Sequence, residues 1–229
     1  MDFYLFRHGE TPFSKEGRAQ GASNDIVNNG LTQAGKDVIA QNAVALRNEI
    51  GDVSLDKVYI YTTPLWRTYD TSQIIKEQLS VPENHLIINS GLRGRNYGPI
   101  EGMVEAEVRS VKGMMKRPTI ALAYFLAQKG VRKNGKGIET KKDFRERVFG
   151  VLDDIFNRHE KDDVIILSVN SDVWDLIRKS ELCSEVFDMS DKGRVKTGSY
   201  VKFQLSQSVQ EKIDEFYATR PHIKKDVIM

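Results

Sequence analysis

The chain alternates short apolar runs with segments whose apolar residues recur at helical spacing. The runs predict five strands, at residues 3–6, 58–61, 85–88, 164–169 and 200–205. Helices are predicted between them, with Thr32 and Thr140 as N-caps and a third helix beginning near Asp172. Such alternation is typical of an α/β fold. We therefore expect a three-layer α/β/α sandwich with a mostly parallel central sheet, in which the last strand lies at an edge and keeps one wet face.

Two of the predicted helices carry a single apolar face. These faces are formed by Ile39, Ala43, Leu46 and Ile50 in the first helix and by Phe144, Val148, Val151 and Ile155 in the second. Both faces are interpreted as core contacts. In the helix near Asp172, Trp174 and Ile177 are expected to point inward. His159, which lies among charged residues near a helix end, is interpreted as a solvated residue.

The first apolar run leads directly into Arg7-His8-Gly9-Glu10-Thr11. Ligands bind at the carboxyl edge of open α/β sheets, so a strand that ends here places a cation and an imidazole where a ligand would lie. Arg7 offers a planar fork suited to phosphate, and His8 can act as a base, a nucleophile or a donor. Gly9 allows the backbone to turn close to a bound group. A chance Arg-His pair is the alternative, but the Gly-Glu-Thr that follows favours a functional site.

Composition limits the classes of partner. The 34 basic and 32 acidic residues leave a net charge of +2, which gives no case for nucleic acid as a partner. No apolar run is long enough to span a bilayer, and we expect no signal peptide. The single cysteine excludes an internal disulfide and fits a cytoplasmic location. The four histidines lack the paired spacing of metal ligands, so neither a metal nor another cofactor is expected.

Three stretches resemble motifs of the histidine phosphatase superfamily, the phosphoglycerate-mutase-like group. The first is Arg7-His8-Gly9-Glu10-Thr11, which is similar to the family's Arg-His-Gly signature. The second spans residues 62–71, where small hydroxyl residues and Pro64 precede an Arg and then a Thr. The third spans residues 92–102 and matches the frame of the family's third motif. The resemblance implies one domain over residues 1–229.

The resemblance also implies a role for individual residues. His8 would carry the phosphoryl group, while Arg7 and Arg67 would bind phosphate. Pro64 is expected in the first turn of a helix, with Arg67 one turn further on. Asn170 takes the fourth position around the phosphate. The implied substrate contacts are Ser14, Gln20, Gly21, Arg95 and Tyr97. For the first three, a solvated connector over residues 14–30 is an equal alternative.

Two positions depart from the family pattern. Asn170 stands where the family has a second catalytic His, and Gly94 stands where the family usually has a Glu that protonates the leaving group. The Asn170 amide can donate a hydrogen bond but carries no charge; a charge-assisted bond contributes about 1.5–3 kcal/mol, against about 1 for a neutral one. Losing general acid help costs about 10²–10⁴-fold, most for poor leaving groups. Glu101, Asp172 and Glu10 are substitute donors that the sequence does not rank.

Several functions remain open at this stage. The first is a phosphatase or phosphotransferase that acts on a small phosphorylated molecule through phospho-His8, which the intact first motif favours. The second is an impaired member of the fold that binds a phosphorylated ligand or partner without turnover. A third option is related chemistry that does not transfer phosphate. Residues 103–137, rich in Lys and Arg, form either a solvated helix pair or, as we expect, a lid insertion over the pocket. Whether the chain forms a homodimer is left open.

Overall fold

The computed structural model contains a five-stranded sheet flanked by helices. It describes residues 1–22, 30–109, 118, 122, 139–180, 195–205, 207–209 and 211. The strands are β1 (Asp2–Arg7), β2 (Val58–Thr62), β3 (Leu86–Ile88), β4 (Val164–Val169) and β5 (Tyr200–Gln204). The helices are α1 (Pro12–Lys15), α2 (Gln33–Ile50), α3 (Trp66–Leu79), α4 (Glu105–Arg109), α5 (Lys141–Arg158) and α6 (Ser171–Lys179).

The strand order is β3-β2-β4-β1-β5. The first four strands in this order are parallel to one another, with Leu5 opposite Leu167 and Ile60 opposite Ile166. Only β5 runs antiparallel, at the edge beside β1. The predicted parallel sheet and the edge position of its last strand are confirmed. Since parallel strands end at the same edge of a sheet, the segments after β1, β2 and β4 are brought together.

Both faces of the sheet are covered by helices, as predicted for three layers. Strand side chains alternate between the faces, so Phe3 and Leu5 pack on one face while Tyr4 and Phe6 pack on the other. Helices α5 and α6 contribute to the first core, and α2 and α3 contribute to the second. The predicted apolar faces form these contacts, with one adjustment in α5: Leu152 is buried, whereas Val151 is only partly so. Trp174 and Ile177 are buried as expected.

Local capping explains where the main helices begin. Thr32 and Thr140 are the N-caps of α2 and α5, and each side chain accepts a backbone N–H three residues on. Pro64 was expected in the first turn of α3 but lies before the N-cap Leu65, so Arg67 is the second residue of the helix. Arg67 therefore lies in the first turn of α3, five residues after the end of β2.

His159 is not the solvated residue that its charged neighbours suggested. Its side chain is 5% exposed. Nε2 lies 2.7 Å from the Tyr61 hydroxyl, Nδ1 lies 3.0 Å from Asp163 Oδ2, and the ring packs against Tyr59. The prediction failed because Tyr59 and Tyr61 come from β2, which is distant in the sequence. They fix the end of α5 against the sheet.

The predicted lid insertion at residues 103–137 lies largely outside the described residues. Of that segment, the structure describes residues 103–104, the short helix α4, and residues 118 and 122. The lid and the single domain over residues 1–229 therefore stay predictions. Among the described residues, no helix has both the length and the apolar character needed to cross a membrane.

Candidate active site

Three of the predicted site residues follow strand ends at the same edge of the sheet. His8 directly follows β1, Asn170 directly follows β4, and Arg67 lies at the start of the helix after β2. The backbone N–H of His8 donates to the carbonyl of Val169 at 3.1 Å, which fixes the end of β1 against the residue before Asn170. His8 is 3% exposed, Asn170 is 5% exposed and Arg67 is fully buried. The structure therefore brings these three side chains into one buried region.

The surroundings of His8 determine its proton state. Nδ1 lies 2.8 Å from the carbonyl oxygen of Gly9, and because a carbonyl oxygen can only accept, Nδ1 must carry a hydrogen. Burial, together with the positive charges of Arg67 and Arg7, holds the pKa of His8 well below its usual value of 6.5. The imidazole is therefore neutral at pH 7, and Nε2 keeps its lone pair. This is the state that a nucleophilic histidine needs.

Two guanidinium groups supply the positive charge near His8. Arg7 is the last residue of β1 and donates to the carbonyl of Val195. Arg67 donates from Nη2 to the carbonyl of Gly21 at 2.6 Å. Burial lowers the pKa of Arg67 to about 10, partly offset by Asp172 and Glu101, so this side chain remains charged at neutral pH.

One hydroxyl joins the first motif to the second. Thr71 Oγ1 accepts the backbone N–H of Gly9 at 3.1 Å and donates to the carbonyl of Arg67 at 2.7 Å. Gly9 also allows close packing, since a Cβ there would lie 3.0 Å from the carbonyl oxygen of Gly35. A Cβ at Gly35 would in turn lie 2.5 Å from the carbonyl oxygen of Glu10. The loop after β1 is thus fixed between α2 and α3.

The carbonyl of Gly21 accepts hydrogen bonds from two of the residues that were predicted to bind phosphate. It accepts from Arg67 Nη2 at 2.6 Å and from Asn170 Nδ2 at 3.1 Å. Glu101 holds this loop from the other side, because its Oε1 accepts the N–H of Ala22 at 2.9 Å. Gly21 has a φ of +57°, and a Cβ there would overlap the Glu101 carboxylate. A neutral backbone oxygen therefore lies where the sequence predicted a phosphate oxygen.

Asn170 and Gly94, the two departures from the family pattern, touch each other. A Cβ at Gly94 would overlap the amide nitrogen of Asn170 and would lie 2.9 Å from the carbonyl oxygen of Gly21. The Gly21 carbonyl also fixes which way the Asn170 amide faces, because the nitrogen must donate to it. Asn170 Oδ1 is then buried without a hydrogen-bond partner in the described part of the chain. It is an acceptor that a bound ligand or water could use.

The implied substrate contacts differ in how fully they are engaged. Ser14 completes a capping box with Thr11, since Thr11 N donates to Ser14 Oγ at 2.8 Å and Ser14 N donates to Thr11 Oγ1 at 3.0 Å. Gln20 also donates to Thr11 Oγ1. The short helix α1 that these bonds stabilise replaces the start of the predicted loop. Both side chains therefore hold the loop, and their predicted contact with substrate stays untested.

Arg95 is more available to a ligand. It is 5% exposed, Nε donates to the carbonyl of Glu139 at 2.6 Å, and Nη2 is buried with no hydrogen-bond partner within the described ranges. Its guanidinium lies 5.8 Å from the ring centroid of Tyr97. Arg147 binds both carboxylate oxygens of Glu139, at 2.9 and 2.8 Å, which holds the carbonyl partner of Arg95 in place.

Some residues that shape this region were not found from the sequence. Thr71 accepts the N–H of Gly9, and Gly35 lets α2 pack closely against Glu10 in the loop that follows His8. The spacing of Thr71, one helical turn after Arg67, was the one available signal. Among the described residues, no group of three or more His, Cys, Asp or Glu side chains could hold a metal ion.

Comparison with known proteins identifies the family. The family model for the histidine phosphatase superfamily (branch 1) matches residues 3–174. A metal-independent phosphoserine phosphatase of Arabidopsis thaliana is 29% identical over 168 residues, which are 73% of this chain and 63% of the relative. A 2,3-bisphosphoglycerate-dependent phosphoglycerate mutase of Bartonella henselae is 30% identical over 109 residues, which are 48% of this chain and 49% of the mutase. The alignments therefore span between about half and two thirds of these relatives.

Solved structures share the fold. A phosphoglycerate mutase from Bacillus anthracis superposes with a TM-score of 0.65 at 19% identity and covers 91% of this chain and 92% of its own. A mycobacterial glucosyl-3-phosphoglycerate phosphatase, in complex with VO3, gives a TM-score of 0.62 at 16% identity and covers 88% and 91%. Since the family match takes in β1 to α6 and all three strand ends of the site, the chain belongs to the histidine phosphatase superfamily, branch 1.

Proposed function

We propose that this chain is a phosphatase or phosphotransferase that takes the phosphoryl group of a small phosphorylated molecule onto His8. The observation that carries the proposal is the state of the imidazole. Nδ1–H is bound by the Gly9 carbonyl, and burial, together with nearby Arg67 and Arg7, holds the pKa of His8 low, so Nε2 keeps its lone pair at neutral pH. The same two cations favour a phosphoryl group close to Nε2.

The proposed reaction has two steps. Nε2 of His8 attacks phosphorus in line and the ester oxygen leaves with the bonding electrons, which gives a phosphohistidine. Water, or a second acceptor, then takes the phosphoryl group and regenerates the imidazole. Arg67, Arg7 and the Asn170 amide stabilise the equatorial oxygens, whose charge must be balanced in the transition state.

Phosphate would replace the Gly21 carbonyl as the acceptor for Arg67 Nη2 and Asn170 Nδ2. The exchange favours the anion, because a phosphate oxygen attracts the charged Arg67 more strongly than a neutral carbonyl does, and because it makes the bond from the Asn170 amide charge-assisted. It requires the loop held by Glu101 to shift, since Glu101 Oε1 binds the N–H of Ala22. We therefore expect ligand binding to be accompanied by movement at residues 20–22.

The same contact favours a second function, which is binding of a phosphorylated ligand without turnover. In the free protein the Gly21 carbonyl already occupies Arg67 and Asn170, and Asn170 supplies no positive charge. A pocket of this kind would hold an anion weakly and would stabilise a transition state less well than one with a second His.

A phosphoryl-transfer experiment distinguishes the two functions. The protein is mixed with p-nitrophenyl phosphate, phosphoserine or a phosphoglycerate, quenched in base and assayed for acid-labile phosphate on the chain. We expect the wild-type protein to carry acid-labile phosphate and to release phosphate from the ester. H8A should do neither. H85Q is the matched control, because His85 binds the Val58 carbonyl at the opposite end of the sheet strands.

Each outcome has a clear meaning. If wild-type protein releases no more phosphate than H8A from any ester, the enzymatic function is refuted. If vanadate then still binds to wild-type protein and binds more weakly to R67M, the ligand-binding function is supported. If neither turnover nor vanadate binding depends on these residues, both functions are refuted.

A further inference from the structure

The leaving oxygen needs a proton, and the usual place for its donor is closed. A Cβ at Gly94 would overlap the Asn170 amide nitrogen and crowd the Gly21 carbonyl, so no side chain can begin at this position while Asn170 keeps its bond. A poor leaving group still requires general acid help, which is worth about 10²–10⁴-fold. A carboxyl group must therefore come from elsewhere if such esters are to react.

Glu10 and Glu101, two of the three candidate carboxyl groups, hold the backbone. Oε1 of Glu10 accepts the Thr32 hydroxyl at 3.0 Å, at the beginning of α2. Oε1 of Glu101 accepts two backbone N–H groups, from Ala22 and Tyr97, both at 2.9 Å. These two residues fix the loops on either side of the pocket.

Asp172, the third carboxyl group, is in a different position. It lies two residues after Asn170, in the first turn of α6, and interacts electrostatically with Arg67. Oδ2 accepts the N–H of Arg95 at 2.5 Å, and Oδ1 accepts the N–H of Val173 at 3.0 Å. Because Arg95 follows Gly94 directly, the Asp172 carboxyl lies one peptide unit from the closed position.

Burial affects Asp172 more than its hydrogen bonds do. It raises the pKa of the Asp172 carboxyl, although Arg67 and the N–H groups of Arg95 and Val173 pull in the other direction. Each carboxyl oxygen accepts one of these N–H groups, which leaves a second lone pair on each for a proton. The group therefore keeps its proton to a higher pH than an ordinary aspartate.

We propose that Asp172 is the proton donor to the leaving oxygen, an assignment that rests on the proposed phosphoryl transfer to His8. As the N–P bond to Nε2 forms, the P–O bond breaks and its electron pair stays on the leaving oxygen. That oxygen takes the proton of the Asp172 carboxyl and departs as an alcohol. In the second step, water loses a proton to the Asp172 carboxylate as it attacks phosphorus, and the N–P electron pair returns to Nε2.

The test compares esters that need a proton donor with esters that do not. For D172N, we expect kcat/KM for an alkyl ester such as phosphoserine to fall by about 10²–10⁴-fold, and that for p-nitrophenyl phosphate to fall at least tenfold less. E101Q is the matched comparison, and it should reduce both rates by the same factor because it loosens the loop. Equal losses for the two esters in D172N, or no loss for the alkyl ester, would overturn the assignment.

A measurement on the wild-type protein covers the case in which D172N does not fold. For the wild-type protein, kcat/KM for the alkyl ester should decrease as the pH rises, because Asp172 loses its proton. The value of kcat/KM for p-nitrophenyl phosphate should not decrease in this way. The same alkaline fall for both esters would overturn the assignment. The underlying reaction is judged separately by H8A: hydrolysis that does not depend on His8 would refute both proposals together.

Discussion

The contact between Gly94 and Asn170 predicts a large coupling between substitutions at these two positions. In G94A, the new methyl group would overlap Asn170 Nδ2, lie 3.0 Å from Asn170 Cγ and lie 2.9 Å from the Gly21 carbonyl oxygen. The amide must then move and lose its 3.1 Å bond to that oxygen. Overpacking of this kind costs about 1–3 kcal/mol, so we expect G94A to lower the free energy of unfolding by that amount.

N170A removes the obstacle. On its own it should cost about 1 kcal/mol, since the Gly21 carbonyl keeps its 2.6 Å bond to Arg67 and is not left unsatisfied. Of the three atoms nearest to the methyl group of G94A, this background keeps only the Gly21 oxygen. The φ of Gly94 is not positive, so alanine is conformationally acceptable there. The double variant should therefore be about 1–2 kcal/mol more stable than the sum of the two single changes.

The coupling is measured by urea unfolding of the wild-type protein, G94A, N170A and the double variant. Their unfolding midpoints are compared at equal m-values. The control is G150A, which lies on the exposed side of α5, where a Cβ meets nothing within 4 Å. It should raise stability by up to about 1 kcal/mol and should add to N170A without coupling. If G94A and N170A are additive to within about 0.5 kcal/mol, the reasoning from this contact is refuted.

Two further predictions concern the first motif. T71V leaves the Gly9 N–H buried without its acceptor and should cost about 1–3 kcal/mol in urea unfolding, whereas T71S, which keeps the hydroxyl, should cost clearly less; equal losses would contradict the role of the Thr71 bridge. The pKa of His8 is depressed in the folded state, so below pH 6.5 the unfolded chain binds more protons than the folded protein does. The free energy of unfolding therefore decreases as the pH is lowered, by up to about 1.4 kcal/mol per pH unit. H8Q should reduce this slope between about pH 6.5 and 5, and an unchanged slope would exclude a neutral His8.

The sequence was sufficient to predict that three side chains would meet. His8 and Asn170 follow apolar runs that could only be buried strands, and parallel strands end at one edge. It also predicted the helix faces, because period and capping are local properties. Arg67 was placed close to its correct position, although the helix starts after Pro64 rather than around it.

What the sequence could not show depends on contacts between distant segments. A backbone carbonyl leaves no mark in a sequence, so the pairing of Gly21 with Arg67 had no signal. The burial of His159 was missed for a related reason. Its partner Tyr61 lies on β2, far from it in the sequence, while the charged residues next to His159 indicated an exposed position. The residues next to a position in the sequence indicate its secondary structure. They give little information about its tertiary contacts.

The two departures from the family pattern were weighed separately from the sequence, but the structure makes them one feature. Without a side chain at Gly94, the Asn170 amide can reach the Gly21 carbonyl, and with that amide in place no side chain fits at Gly94. A side chain introduced at Gly94 alone therefore meets the Asn170 amide first. Restoring the family's pair of residues would require both changes at once, together with a new position for the Gly21 loop. The acid of the proposed reaction has to be a carboxyl group outside that pair, and we assign it to Asp172, which binds the N–H of Arg95 next to Gly94 and whose pKa is raised by burial.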